Sequence, residues 1–474
     1  MFKSTKIIAT IGPSSDSPEC IEELIKAGVN VFRFNFKHST VEWHSERIDR
    51  VNKIAAKMKL PIGTLIDLQG PEIRINMPGE KLEITEGELL VFGDEAYKDN
   101  NKGFSITHPQ IIEHLKDGQH ISVDDGYYSF KVVKKEGKTY LKSETTGTLP
   151  TRKSLNIPGA DFPFPVLIDR DFQGLELASR HEIDFIALSF VRSADDMKTV
   201  QREAKKYGMT GKFIAKIETK KALENLDEII DAADGIMVAR GDLGVEIPIE
   251  QVPFYQKMII KKCMIQGKFV ITATQMLQTM IDNPFPTRAE ISDIANAVYD
   301  LTDCIMLSGE TANGKHPLKA VDVMRKTALF YEPKTDEDTP VKIQFSAADT
   351  SAMVVDAAYA LYRKYVLAEQ PIAGFMIFTQ SGHTATLLSR YRPKVPVFTF
   401  TPNEGVSESL SVNFGVVPVI FGYHNSDEVN VLELKRAVAL LHEHEYIKQH
   451  PGKLIVVHGE HWGTGSGATT IRIM

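Results

Sequence analysis

Eight short β-branched runs, alternating with stretches of helical periodicity, constrain this chain more than any other feature. The runs are Lys6–Thr10 (KIIAT), Val31–Phe36 (VFRFNF), Thr64–Asp67 (TLID), Phe185–Phe190 (FIALSF), Phe213–Ile217, Gly235–Ala239, Phe269–Ala273 (FVITA) and Cys304–Leu307 (CIML). Amphipathic segments fill the gaps at Pro18–Ala27, Val41–Met58, Ala194–Tyr207, Ala222–Ala233, Ile249–Gln266 and Arg288–Leu301. Near-continuous apolar runs separated by helices mark parallel strands covered on both faces. Eight of them predict an α/β fold, a (β/α)8 barrel. A doubly wound open sheet is the rival, but no GxGxxG follows the first run to support it.

The alternation breaks after the third run. Between about Pro71 and Arg170 the pattern changes to short alternating runs such as Leu82–Ile84, Leu89–Phe92 and Tyr127–Val133, with turn signals at Pro78-Gly79, Asp125-Gly126, Glu136-Gly137 and Pro158-Gly159. A small all-β domain inserted in a βα loop is expected there, placed to close over a site. The segment TDEDTPVKIQFSAAD (335–349) reads as a linker to a separate C-terminal α/β domain. That domain is expected to hold helices at Ser351–Leu367 and Asp427–His444. Its strands are expected at Phe375–Thr379, Val395–Phe400, Val416–Phe421, Leu454–His458 and Thr470–Met474. The expected division is barrel 1–70 and 171–340, lid 71–170 and C-terminal domain 341–474.

Charged groups gather where the barrel runs stop. Lys216 and Glu218 end the fifth, and Arg240 and Asp242 follow the sixth. In a parallel barrel these stops share one edge, so two carboxylates and two cations are expected to converge. Arg33 and Asn35 share a face of the second strand, Asp67 ends the third, Arg74 opens the insertion, Thr274 ends the seventh and Glu310 follows the eighth. Arg33, Arg74 and Lys216 suit phosphate oxygens, while Glu218 with Asp242 suits magnesium. Solvated loops are the bland alternative, yet polar groups on nearly every strand end of one rim fit phosphoryl transfer better. In the last domain, Thr379–Thr384 (with Ser381, Gly382 and Thr384) and Gly463–Thr470 (with Gly465 and Ser466) are small-residue loops that could offer backbone donors to phosphate.

The 474 residues exceed one compact core, and a formal charge of −7 gives no general attraction for nucleic acid. No apolar run reaches membrane-spanning length, and the start MFKSTKIIATIG lacks a leader's apolar core. Cys20, Cys263 and Cys304 lie singly, without metal-ligand spacing, so buried thiols in a reducing, cytoplasmic compartment are expected.

The segments TKIIATIGPSS, FRFNFKH, GPEIR, NIPGA, KIE, GIMVARGDLG, ATQML, PTRAE and IMLSGETANG resemble, in order, those of the pyruvate kinase family. The resemblance implies transfer of a phosphoryl group from phosphoenolpyruvate to ADP, the last step of glycolysis, and a homotetramer. It implies that Glu218 and Asp242 bind Mg2+ (or Mn2+) and that Lys216 stabilises the group in flight. It gives Arg33 the substrate phosphate, the Gly241 and Asp242 amides the carboxylate, and Thr274 a place beside the methylene carbon. Arg74, Asn35, His38 and Arg170 fall on the nucleotide side; the family usually has lysine at the Arg170 position. A phosphorylated effector is expected at the two loops of the last domain.

One departure stands out. Positions that hold potassium in many members are here Asn35, Lys37, Asp67 and Leu68, and two of the usual hydroxyls are missing. Two unit charges ~4 Å apart repel by about 4 kcal/mol at intermediate dielectric, so potassium and a Lys37 ammonium cannot share one cage. The Lys37 ammonium is expected to stand in for K+. Glu72 usually accompanies potassium dependence and so argues the other way, unless it pairs with Lys37. A lyase or aldolase acting on an enolate, or a regulatory protein that has lost catalysis, are the other classes. The first has no use for a lid or Arg74, and the second predicts damage at Lys216, Glu218, Asp242 or Thr274.

Overall fold

The computed structural model describes residues 2–98, 101–124, 126–160, 162, 164–335, 349–422, 431–460 and 467–474. Asp125 of one expected turn, nearly all of the expected linker, the start of the helix expected from Asp427, and Gly465 and Ser466 of the second loop lie outside them.

Eight parallel strands close into a barrel: β1 (Lys6–Thr10), β2 (Val31–Asn35), β3 (Gly63–Asp67), β4 (Phe185–Leu188), β5 (Lys212–Ile217), β6 (Gly235–Ala239), β7 (Phe269–Ala273) and β8 (Cys304–Leu307). Each pairs with its sequence neighbours, and β8 returns to β1 through Lys6↔Cys304 to Ala9↔Leu307. The strands are buried on both faces. Ile8, Val31, Leu65, Phe185, Ile214, Met237, Ile271 and Met306 fill the interior, while Ile7, Phe32, Ile66, Ile186 and Val238 pack outward against the helices.

Three expectations need correction. The helix expected over Ala222–Ala233 divides into Lys220–Glu224 and Leu226–Ala232, because Asn225 turns its side-chain amide to the carbonyl of Arg192 at 2.8 Å. The fourth strand stops at Leu188 instead of Phe190, whose φ of +56° cannot continue a ladder. Helices at Asp169–Arg180, Arg240–Glu246 and Pro317–Tyr331 were not expected at all.

The insertion between β3 and β4 forms a seven-stranded and a two-stranded sheet around its own core of Ile75, Phe92, Phe104, Phe130 and Leu141. It touches the barrel at the helix Arg240–Glu246, where the Gly159 N–H donates to Glu246 Oε2 at 3.4 Å. The C-terminal domain carries β9 (Ile372–Phe378), β10 (Val397–Thr401), β11 (Val416–Ile420), β12 (Lys453–His458) and β13 (Thr470–Ile473) in the order β11-β10-β9-β12-β13, with only β13 antiparallel. It plugs the base of the barrel. Val412, fully buried, belongs to the barrel's interior cluster, and Arg392 meets Asp303 at 2.6 Å in a buried pair.

Candidate active site

The C-terminal ends of the strands form one pocket, lined among others by Arg33, Asp67, Lys216, Glu218, Asp242 and Thr274. Strand geometry explains the convergence: Arg33, Asp67 and Lys216 lie within β2, β3 and β5 and turn inward, and Glu218 is the first residue past β5.

Asp67 is the hub. Its Oδ2 accepts from Arg33 Nε at 2.8 Å and pairs with Nη2 at 2.7 Å, and its Oδ1 lies 3.3 Å from Lys216 Nζ. Burial pushes the Asp67 carboxyl up, but Lys216 and Arg33 outweigh it and hold the group below the usual carboxylate range. Lys216 also meets Glu218 Oε1 at 2.8 Å. Burial would lower its pKa, yet Asp67, Glu218 and Asp242 together raise it above the ordinary lysine value. An ammonium held among carboxylates in this way serves as an electrostatic stabiliser.

Asp242 sits in the first turn of the helix Arg240–Glu246. Just before it, the Gly241 N–H donates to Thr274 Oγ1 at 2.8 Å. Thr274 has φ +68° and Gln275 φ +55°, a left-handed pair that is costly for a β-branched side chain and turns the Thr274 hydroxyl back across the strand end.

Arg240 does not join the site, contrary to expectation. It bridges instead to Asp293 at 2.6 Å and to the carbonyls of Ala273 and Thr274, bracing the loop after β7. Glu310 is likewise structural: buried, it accepts the amides of Leu277 at 3.0 Å and Ser308 at 2.7 Å. The pocket therefore gathers three cationic side chains, Arg33, Lys37 and Lys216, and Arg240 is not among them.

Asn35, Lys37 and Leu68 also line the pocket. Lys37 Nζ pairs with Glu72 at 2.5 Å, and Glu72 also takes Arg74 at 2.9 Å. Arg74, His38 and Arg170 stand outside the pocket lining. Arg170 lies 4.8 Å over the Phe36 ring and donates to the carbonyls of Phe36, His38 and Ser39. In the last domain, Thr379 Oγ1 accepts the Gly382 N–H at 3.0 Å, Ser381 is exposed and Thr384 is buried. The sequence assigned no role to Ser189 and Phe190, which line the pocket beyond β4. Their signal was positional, since they directly follow a barrel strand.

Among the described residues no three His, Cys, Asp or Glu side chains group as metal ligands, and no helix is long and apolar enough to cross a membrane. All three cysteines are free; Cys263 and Cys304 are buried and Cys20 is half-buried.

Two family models match the chain: the pyruvate kinase barrel domain over residues 2–321 and the pyruvate kinase alpha/beta domain over 358–474. A pyruvate kinase of Sporosarcina psychrophila is 40% identical over 458 residues, covering 94% of this chain and 76% of that protein. One from Clostridium perfringens is 39% identical over 444 residues, covering 92% and 93%, and one from Thermotoga maritima 40% over 425 residues, covering 88% and 89%.

Proposed function

The chain belongs to the pyruvate kinase family, and on that premise we propose how its own residues move a phosphoryl group from phosphoenolpyruvate to ADP. This is the glycolytic step that yields pyruvate and ATP. The observation that supports the assignment of roles is the meeting of Lys216, Glu218, Asp242 and Thr274 in one pocket.

Arg33 holds the substrate phosphate with the guanidinium hydrogens that Asp67 and Thr10 leave over. The substrate carboxylate takes the Gly241 and Asp242 amides. Gly241 already donates to Thr274 Oγ1, so the incoming carboxylate displaces that hydroxyl and turns it toward the methylene carbon. The bond from phosphorus to the enol oxygen breaks as one forms to a terminal oxygen of ADP. Lys216 faces the three equatorial oxygens meanwhile. The enolate left behind is protonated at its methylene carbon on the Thr274 side, directly or through water. Arg74, with Asn35, His38 and Arg170, lies toward the nucleotide.

The family uses a divalent cation, and the donor set fits one: of the three carboxylates lining the pocket, Asp67 is taken up by Arg33 and Lys216, which leaves Glu218 and Asp242 as hard oxygen donors of the kind that suits magnesium. Glu218 and Asp242 would hold it, and bound there it neutralises charge on the transferring group. Lys37 takes the place of potassium. The domain division 1–70, 71–170, 171–340 and 341–474, a cytoplasmic homotetramer, and a phosphorylated effector at Thr379, Ser381, Gly382 and Thr384 complete the proposal.

The test is a lactate-dehydrogenase-coupled assay with phosphoenolpyruvate, ADP and magnesium. Pyruvate production is expected, and Lys216→Met is expected to lower kcat by at least about 100-fold. No pyruvate from the folded parent would sink the proposal.

A further inference from the structure

Beyond β4 the chain turns through an elbow. Leu188 closes the strand, Ser189 is buried, and Phe190 has φ +56°, a conformation kept only where the surroundings over-determine it. Two groups of the elbow reach the chemistry. The Phe190 N–H donates to Glu218 Oε2 at 2.7 Å, and Ser189 Oγ accepts from Lys216 Nζ at 2.8 Å. The Ser189 hydroxyl hydrogen has the Leu68 carbonyl at 2.8 Å as its near acceptor, with Asp67 Oδ1 farther off at 3.5 Å. Gly70 lies against the turn. A Cβ there would stand 3.1 Å from Ser189 Cβ and from Phe190 Cδ2, so the loop after β3 approaches too closely for a larger residue.

An ammonium has three N–H donors. Lys216 directs its own to Ser189 Oγ at 2.8 Å, Glu218 Oε1 at 2.8 Å and Asp67 Oδ1 at 3.3 Å. The last is the longest, and Asp67 is already shared with Arg33. Glu218 is the carboxylate that must serve a divalent cation. Ser189 is the neutral partner of the three, and its tether to a backbone carbonyl keeps its oxygen in place whichever way the carboxylates turn.

We propose that Ser189 is a positioning residue for phosphoryl transfer: anchored on Leu68, its hydroxyl fixes the Lys216 ammonium, while the neighbouring Phe190 amide fixes Glu218. The proposal rests on the role of Lys216 given above. Lys216 carries its charge without Ser189, because Asp67 and Glu218 supply the opposing charge. What the hydroxyl adds is direction, and direction is felt most when charge moves onto the transferring group. Its loss should therefore fall on kcat and spare substrate binding.

The experiment compares Ser189→Ala, Ser189→Thr and, as a control, Lys216→Met in the full chain. Ser189→Ala is expected to lower kcat about 10- to 100-fold, with the KM for phosphoenolpyruvate within about threefold of the parent. Its thermal midpoint is expected within about 2 °C of the parent, and Ser189→Thr, which returns the hydroxyl, recovers most of the loss. Parental kcat in Ser189→Ala beside an inactive Lys216→Met overturns the proposal and leaves the role of Lys216 standing. A Ser189→Ala whose midpoint falls and whose KM rises in step with the loss of kcat also overturns it, since the hydroxyl would then only hold the loop. Parental turnover in Lys216→Met removes the role of Lys216, and the proposal with it.

Discussion

The Lys37 ammonium meets the Glu72 carboxylate at 2.5 Å, on the wall of the same pocket that holds Asp67 and Lys216. A glutamate at the Glu72 position and a lysine at the Lys37 position argued in opposite directions in the sequence. The structure pairs them, and Arg74 shares the same carboxylate at 2.9 Å, so one acid faces two cations and the ammonium is held at the pocket wall with its charge intact. Turnover in buffer free of sodium and potassium is therefore expected within about twofold of that in potassium, because a potassium ion beside Lys37 would meet a repulsion of several kcal/mol. Lys37→Ser should lower turnover in potassium-free buffer and make it respond to added potassium. A stimulation of the parent by potassium of about tenfold or more would end the idea.

Thr274 couples strain to chemistry. Its φ of +68° is unfavourable for a β-branched residue by about 1–3 kcal/mol, and only glycine occupies that region freely. Thr274→Gly is therefore expected to leave the thermal midpoint equal to or above that of the parent. It should nevertheless lower kcat about 10- to 1000-fold, because the hydroxyl next to the methylene carbon is gone. Stability and activity moving in opposite directions would identify the strain as functional. A parallel fall in both would make Thr274 a structural residue.

What the sequence made legible was periodic or chemical. The barrel strands emerged because two-sided burial writes an unbroken apolar run, and all eight lie within two residues of their expected ends. Glu218 and Asp242 emerged because carboxylates at strand ends are chemically conspicuous. Arg240 looked equally conspicuous, and its direction was invisible: a guanidinium reaches far enough to leave the rim for Asp293, a choice that only packing makes. Ser189 failed for the opposite reason. A serine after an apolar strand carries a position and no chemistry until the fold sets Lys216 2.8 Å away. The helix Asp169–Arg180 was hidden by its start. It lies where the insertion returns to the barrel, and the buried Asp171 there accepts from the Ile168 amide within its own turn and from the Gln69 amide 102 positions away, a tie no local pattern announces.

The base of the barrel should titrate. Burial pushes the Asp184 carboxyl up to about 6, and burial followed by Asp184, Glu404 and Glu182 pushes Glu408 up to about 7. A carboxyl whose folded pKa is raised stabilises the fold fully below its unfolded value and loses that contribution as pH rises through the folded value. The contact between barrel and C-terminal domain, where Lys212 Nζ also donates to the Ser409 carbonyl at 3.1 Å, should weaken between about pH 4 and pH 7. Lys3 and Lys6, lowered chiefly by burial to about 7 and about 8, carry the opposite sign, gaining stability as pH rises. The difference between Asp184→Asn/Glu408→Gln and the parent isolates the carboxyls. Its stability relative to the parent, read from denaturant unfolding, should climb between pH 5 and pH 8 by an amount on the order of 2 kcal/mol. A flat difference would show that these carboxyls ionise freely.

An effector test is better aimed at Ser381 than at Thr384. Thr384 is buried, so a charge placed there would disturb the domain and confuse binding with folding. Ser381 is exposed at the start of the same turn, with its Oγ accepting the His383 N–H at 3.4 Å. A sugar monophosphate is expected to shift the phosphoenolpyruvate saturation curve of the parent. Ser381→Glu should abolish the shift by like-charge repulsion and leave basal turnover within about twofold. Identical curves for the parent across a panel of sugar phosphates and nucleotides would count against any phosphate site at this turn.

The Arg392–Asp303 pair joins the two domains through the barrel floor, and its two sides are unequally protected. Asp303 keeps the amides of Phe414 at 3.0 Å and Val270 at 3.1 Å if Arg392 is lost. Arg392, without Asp303, keeps the carbonyls of Leu301 and Ser389 but no opposing charge. Removing one partner of a buried pair costs about 3–5 kcal/mol, and a charge left without a counter-charge sets the upper end. Asp303→Ala should therefore destabilise more than Arg392→Met, because it strands a guanidinium and two backbone donors together. Urea unfolding of the two variants, compared at the midpoint of the first transition, measures the order. Arg392→Met unfolding at or below the midpoint of Asp303→Ala would mean that the guanidinium, through its packing over the Phe414 ring at 5.0 Å, holds the domains together by contact more than by charge.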